Sequence, residues 1–345
     1  MSEAQDCRFT RRRKPLKALL WMLGIAAGLA IAVDVVFQVS PWPAALLIRW
    51  ALDEGGVNAS QALEKHLPAG VSERLNEHYD SADDDAYLDV FYPSEIENSE
   101  RALLTVVWVH GGAWIAGSKN QIANYARILA GKGYTVVAVD YSLAPGKSYP
   151  TPVRQVNTAL GYLAQNAQRL HVDPARFVLA GDSAGAHIAA QLANAISVPS
   201  YAQTMGITPS IARSQLAGVV LFCGIYDFGR VDHDGSFQNF RNTMILRSYS
   251  GTKYFLNDAH FATASVANYV TPAFPPMFIS AGNTDPLAPQ SYAFARTVAA
   301  LGVPVDTLFF PDNYTPALHH EYQFDLDTEA GRLALDSSTT FLSAR

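Results

Sequence analysis

Residues 177–196 read FVLAGDSAGAHIAAQLANAI, and the fold turns on the five in the middle, Gly181-Asp182-Ser183-Ala184-Gly185. Phe177–Ala180 is a short apolar run of strand type. Ala184–Ile196 is an apolar run of helical length, and almost no chain is left between the two. Small residues around Ser183 permit a sharp strand-to-helix turn that lifts its hydroxyl above a sheet. A helix starting immediately afterwards aims the Ala184 N–H, and the positive end of its dipole, at any oxygen that meets that hydroxyl. The same pentapeptide also describes ordinary helix N-caps. Its place behind a buried strand is what makes Ser183 a candidate nucleophile.

Outward from this turn the same alternation recurs. Tyr87–Tyr92 (YLDVFY, stopping at Pro93), Leu103–His110, Thr135–Asp140, Ala217–Cys223, Met277–Ala281 and Val305–Phe310 have strand length and composition. Gln121–Gly131, Val153–Gln168 and Ala293–Leu301 are helical between them. Short apolar strands separated by helices predict an α/β fold: a mostly parallel central sheet with helices on both faces. The connection from Tyr226 to Pro275 is too long for a plain crossover, so an insertion is expected at about residues 228–267. Ala44–Leu52 is a short apolar helix after Pro43, followed by a polar stretch, Glu54–Ser81, and a solvated turn at Asp83-Asp84-Asp85. Residues 41–84 and the insertion are expected to cap the site. The plainer alternatives are a packing helix and a surface elaboration.

Charged residues make up 16% of the 345 and hydrophobic ones 49%, which excludes a disordered chain and provides for a large core. The net charge of -6 argues against a nucleic-acid binder. Its distribution is lopsided: residues 1–17 carry +4 and the remainder -10. After that basic cluster comes ALLWMLGIAAGLAIAV, uncharged from Ala18 to Val33. Two readings stand. Residues 1–40 are either an uncleaved membrane anchor, with the basic tail inside and the rest outside the cytoplasm, or a signal peptide. Ala30-Ile31-Ala32 satisfies the cleavage rule, and removal there would give a secreted or periplasmic chain. Two cysteines, Cys7 and Cys223, exclude a disulfide scaffold and a cysteine-built zinc site. No motif sets an oligomeric state.

A second local signal is His110-Gly111-Gly112-Ala113-Trp114 at the end of the strand Leu103–Val109. Paired glycines let backbone N–H groups turn inward, where they can join Ala184 N–H around an oxyanion. His110 is expected to brace this loop rather than act as acid or base.

Taken together, His110–Trp114, Asp140-Tyr141-Ser142-Leu143-Ala144-Pro145 and Gly181–Gly185 resemble the HGGx, DYRLAP and GDSAG motifs of hormone-sensitive-lipase-like esterases in the α/β-hydrolase superfamily. Leu88–Pro93 is similar to that family's first strand, and the likeness covers roughly residues 85–345, the expected catalytic domain. Two departures concern substrate preference: Ala113 replaces the third glycine and Ser142 the usual arginine. The Ala–Trp form is similar to that of kynurenine formamidase and isoprenylcysteine methylesterase. The resemblance implies a serine hydrolase of small-molecule carboxylic esters that needs no metal or organic cofactor. Its base is His320 in His320-Glu321-Tyr322, with His319 the rival. Its acid is Asp285 in Gly282-Asn283-Thr284-Asp285-Pro286-Leu287, with Asp312 the rival. Gly111, Gly112, Ala113 and Ala184 form the oxyanion hole, and Trp114 and Asp182 are candidate pocket residues. Alternatives are an amidase or formamidase using the same triad, and a catalytically silent membrane-associated binding protein.

Overall fold

The computed structural model describes residues 13–231 and 237–345. Two helices lead, α1 (Arg13–Val39) and α2 (Trp42–Ala62), followed by strands β1 (Val71–His78), β2 (Tyr87–Pro93) and β3 (Leu103–Val109). Alternation then sets in: α3 (Lys119–Ala130), β4 (Thr135–Val139), α4 (Thr151–Gln165), β5 (Val172–Asp182), α5 (Ala184–Ser197), α6 (Pro199–Met205) and β6 (Leu216–Phe222). The long connection carries α7 (Phe237–Ser250) and α8 (Ala259–Ala262). The chain closes with β7 (Met277–Ala281), α9 (Ala288–Ala300), β8 (Val305–Phe309) and α10 (Glu329–Ser343).

The eight strands lie in the order β1-β2-β4-β3-β5-β6-β7-β8. β1 and β2 run antiparallel to their neighbours, and the pairings from β4 to β8 are all parallel. Helices cover both faces, which is why the central strands are apolar at every position rather than at alternate ones. Val107, Val109, Val137, Val139 and Leu179 point to the side of α4, α5 and α9. Their neighbours Val106, Trp108, Val136, Ala138, Val178 and Ala180 point to the side of α3 and α10. Each valine or leucine so buried contributes about 1.5–3 kcal/mol.

Three elements differ from expectation. The sheet starts at Val71, ahead of residue 85, because VSERLNEH forms an edge strand whose four middle residues are exposed. Its charges also blunt that edge against pairing with another chain. α2 runs ten residues beyond Leu52, through Asp53-Glu54-Gly55-Gly56. Tertiary contacts override the glycines there: Asp53 Oδ1 accepts the Gly117 N–H at 2.8 Å, and Asn124 Nδ2 donates to Ser60 O at 2.8 Å. Helix α10 was not anticipated at all. It buries one stripe, Ala330, Ala334, Leu335, Phe341 and Leu342, beside β7 and β8.

A buried ion pair joins β2 to the start of α3. Lys119 Nζ lies 3.0 Å from each Asp89 oxygen and 2.9 Å from Asn76 Oδ1, while the Lys119 N–H donates to Asp140 Oδ1 at 2.6 Å. Burial pushes the Asp140 carboxyl up to about 6 against the pull of Lys119.

Within α1, Lys17–Val39 is long and apolar enough to cross a membrane by length and composition, and none of it is buried in the protein. A signal sequence would meet the same description.

Candidate active site

The turn at Ser183 is built by crowding. A side-chain carbon on Gly185 would run into the Val109 and His110 carbonyls, so α5 can start against the end of β3 only with glycine there. One on Gly181 would come within 2.5 Å of the Gly185 carbonyl carbon. Between them Ser183 adopts φ 51°, ψ -118°, outside the ordinary regions, a conformation that costs about 1–3 kcal/mol. Its N–H donates to Phe222 O at 2.8 Å, tying the turn to β6. The hydroxyl emerges beyond the carboxyl ends of the parallel strands and faces a cavity.

His320 Nε2 lies 3.0 Å from Ser183 Oγ, and His320 Nδ1 lies 2.9 Å from Asp285 Oδ2. A carboxylate only accepts, so the proton sits on Nδ1 and Nε2 is free to receive the serine proton. Asp285 is buried, and its Oδ1 takes the Leu287 N–H at 2.8 Å. The loops carrying acid and base are stitched together: Asn283 Oδ1 accepts the Leu318 N–H, and the Thr284 N–H and hydroxyl both reach Leu318 O. His319 stands aside, exposed, with Nδ1 3.2 Å from Thr284 Oγ1. The other aspartates are spent elsewhere. Asp312 offers its backbone carbonyl to Asn283, Asp306 lies on β8, Asp227 accepts the Gly229 N–H, and Asp140 belongs to the Lys119 cluster.

The loop after β3 is held from below. His110 is buried and stacked on Tyr141 at 4.2 Å, with Nδ1 2.7 Å from Gly111 O. Burial pushes its imidazole down to about 4, so it is neutral at working pH. The Tyr141 hydroxyl donates to His110 O at 3.0 Å. Gly112 has φ 100°, and a side chain there would strike the Ala116 carbonyl. Ala113 (φ 54°) and Trp114 (φ 59°) are left-handed too, so the alanine that replaces a glycine sits where glycine is favoured. Gly111, Gly112, Ala113 and Ala184 all line the cavity beside Ser183.

Two carboxyl groups converge over Gly111. Asp182 Oδ1 accepts the Trp108 indole N–H at 2.7 Å, and Glu321, itself at φ 61°, places Oε1 3.8 Å from His320 Nε2. A side chain on Gly111 would collide with Asp182 Oδ2 and come 2.8 Å from Glu321 Oε1. Burial, and after it the Glu321 carboxylate, hold the Asp182 carboxyl well above the usual carboxylate range. Burial opposes an imidazolium at His320. The Cys223 sulfur, Asp285 and Glu321 favour it, and the net direction is upward.

The cavity encloses about 990 Å³. Ile48 and Leu52 of α2, Ile245 and Leu246 of α7, Leu287 and Phe324 give it apolar walls. Trp114 serves both as wall and as core. Its ring stacks on Tyr249 at 4.5 Å, and its indole N–H donates to His187 Nδ1 at 3.2 Å, while His187 Nε2 lies 2.9 Å from Ala264 O. Cys223 offers a third donor within 4.8 Å of those of Asp285 and His320. Burial pushes its thiol up to about 11, and a metal there would have to break the His320–Asp285 hydrogen bond, so the set is poorly suited to an ion.

Sequence reasoning missed Glu321, which it quoted only as the neighbour of His320, and two α2 residues. Arg49 Nη2 donates to Ala144 O at 2.9 Å and its Nε to Ile115 O, while Asp53 holds Gly117. Their only sequence signal is charge within an otherwise apolar helix.

Comparison with known proteins adds a family. The family model BD-FAE matches residues 88–297. The chain is similar to esterase LipQ of Mycobacterium tuberculosis, 27% identical over 258 residues, which cover 74% of this chain and 58% of that protein. It is similar in structure to esterase B from Lactobacillus rhamnosis, with TM-score 0.74 and 22% identity over 88% of this chain and 95% of that one. It is also similar to an esterase from Pyrobaculum calidifontis, with TM-score 0.65 and 20% identity over 86% and 93% of the two chains.

Proposed function

The chain belongs to the BD-FAE family, on an α/β-hydrolase scaffold, and from that footing we propose that it is a serine hydrolase of carboxylic esters. What carries the reading is one side chain. His320 lies between Ser183 Oγ at 3.0 Å and Asp285 Oδ2 at 2.9 Å, with both in hydrogen-bond reach.

Ser183 Oγ attacks the ester carbonyl carbon while its proton passes to His320 Nε2; Asp285 holds the ring and stabilises the imidazolium. The N–H groups of Gly112, Ala113 and Ala184 take the oxyanion, and Gly111 shapes their loop. His320 then protonates the departing alkoxide, leaving an acyl group on Ser183. Water, giving its proton to His320, attacks that acyl group, and the carboxylic acid leaves as the serine is restored. α1 anchors the catalytic part outside the cytoplasm, with the basic tail inside.

The test is hydrolysis of p-nitrophenyl esters from acetate to palmitate, set against matched anilides, with and without Ser183→Ala. Turnover of esters lost in the variant is the expected result. Turnover of anilides in preference to esters would move the protein to the amidase class. Failure of Ser183 to react with a fluorophosphonate probe would leave a silent binding protein.

A further inference from the structure

The candidate anchor does not end far from the site; it runs into its wall. Only Ser40 and Pro41 separate α1 from α2. The end of α1 is also gripped by the insertion. The Arg247 guanidinium of α7 donates to the carbonyls of Phe37, Gln38 and Val39 at 2.9, 2.8 and 2.9 Å, and Phe240 meets Phe37 edge-on at 5.8 Å. The two helices held there, α2 and α7, both wall the cavity over Ser183.

α2 itself has two faces. Ile48, Leu52 and Ala59 line the cavity, with Arg49 and Asp53 clasping the loop of Gly111–Gly117 at Ile115 O and Gly117 N–H. On the other side Trp42, Leu46 and Trp50 recur every four residues, with Leu47 beside them, and all four are exposed, Leu47 by 64% and Trp50 by 70%. Glu54, one turn further on, interrupts this face, and Val57 beyond it is exposed again. A stripe of large apolar groups in water is unusual for a soluble surface, and tryptophans are at home at the membrane boundary.

We propose that this face of α2 lies in the membrane–water boundary into which α1 delivers it, and that the cavity takes its substrate from the bilayer: an amphiphilic lipid ester with a long acyl chain. The inference rests on reading α1 as an uncleaved anchor and Ser183 as the nucleophile. An apolar cavity of about 990 Å³, at the top of the range for ordinary small-ligand sites, accommodates such a chain. A helix set in the boundary by its apolar face, with its opposite face forming the pocket wall, shortens the path from lipid to serine.

The full chain is tested in liposomes against p-nitrophenyl acetate in the water and dioleoylglycerol in the bilayer, with the variant Leu46→Glu/Leu47→Glu. Lifting that face off the lipid should cut turnover of the bilayer ester about tenfold or more and leave that of the acetate unchanged. Equal losses on both, or none on either, overturn the proposal. A second measurement does not depend on how the charged variant folds. In brominated-lipid vesicles, the emission lost between wild type and Trp50→Phe should be quenched, and undiminished Trp50 emission overturns the proposal. The underlying readings fail differently. A chain shortened at Ala32 and recovered in the soluble fraction removes the anchor and this inference with it. An intact bound chain turning over neither ester through Ser183 removes the esterase reading.

Discussion

Two polar clusters flank the loop of His110–Trp114, one buried and one facing the cavity, and they are built on opposite plans. In one, Lys119 Nζ meets both oxygens of Asp89 and the Asn76 side-chain carbonyl while its N–H holds Asp140, so a cation sits among the carboxyl groups. In the other, the carboxyl groups of Asp182 and Glu321 are brought together beside His320, with Trp108 the donor to one of them. The first is a closed arrangement that fixes where β2, α3 and the end of β4 lie. The second is left short of positive charge and open to the cavity. Two carboxyl groups crowded together at the mouth of a cavity, one of them with its pKa raised, point to chemistry.

The comparison can be broken from either side. Ser183→Ala should lower kcat for ester hydrolysis by about 10⁶-fold with the thermal unfolding midpoint unchanged or raised, since the strained turn loses no packing. A large fall in Tm would mean that the Ser183 hydroxyl is structural. Asp285→Asn, which leaves Nδ1 of His320 with the wrong partner, should lower kcat by roughly 10⁴-fold, again without unfolding. On the other side, Lys119→Met strands the Asp89 charge and should cost about 3–5 kcal/mol in urea denaturation. Lys119→Met with Asp89→Leu should recover most of it, and activity in the double variant should stay close to wild type. Glu321→Gln sharpens the contrast. Turnover needs neutral His320, and the Glu321 carboxylate is one of the groups that raise its pKa. The acid limb of kcat/KM should therefore move to lower pH, and a limb that stays in place would show Glu321 to be a spectator. Ala113→Gly is the smallest change: relief of a left-handed alanine and the added freedom of the unfolded chain nearly cancel, for a net effect within about 1 kcal/mol.

What could be read in advance follows from where the information is stored. Strands β3 to β7 announce themselves because burial on both faces demands apolar runs, as in Ala217–Cys223 and Met277–Ala281. β1 does not, since an edge strand with four exposed residues looks like any polar segment. The Ser183 turn was legible because glycine at 181 and 185 is a demand of space, written locally. His320 and Asp285 needed chain order as well as residue type, and His319 could be set aside only by seeing Thr284 take it. The Asp182–Glu321 pair was beyond reach. It depends on a left-handed backbone at Glu321 and on two loops meeting, and neither leaves a mark in the neighbouring letters.

The clasp of Arg49 and Asp53 decides where this chain can be shortened. Cutting at Ser40-Pro41 would take away the apolar helix and leave α2 whole. Cutting after Ala62 would remove Arg49 and Asp53 together, and the carbonyls of Ile115 and Ala144 and the N–H of Gly117 would lose the side chains that hold them. A shortened chain that keeps the clasp must therefore keep α2, well upstream of the first strand.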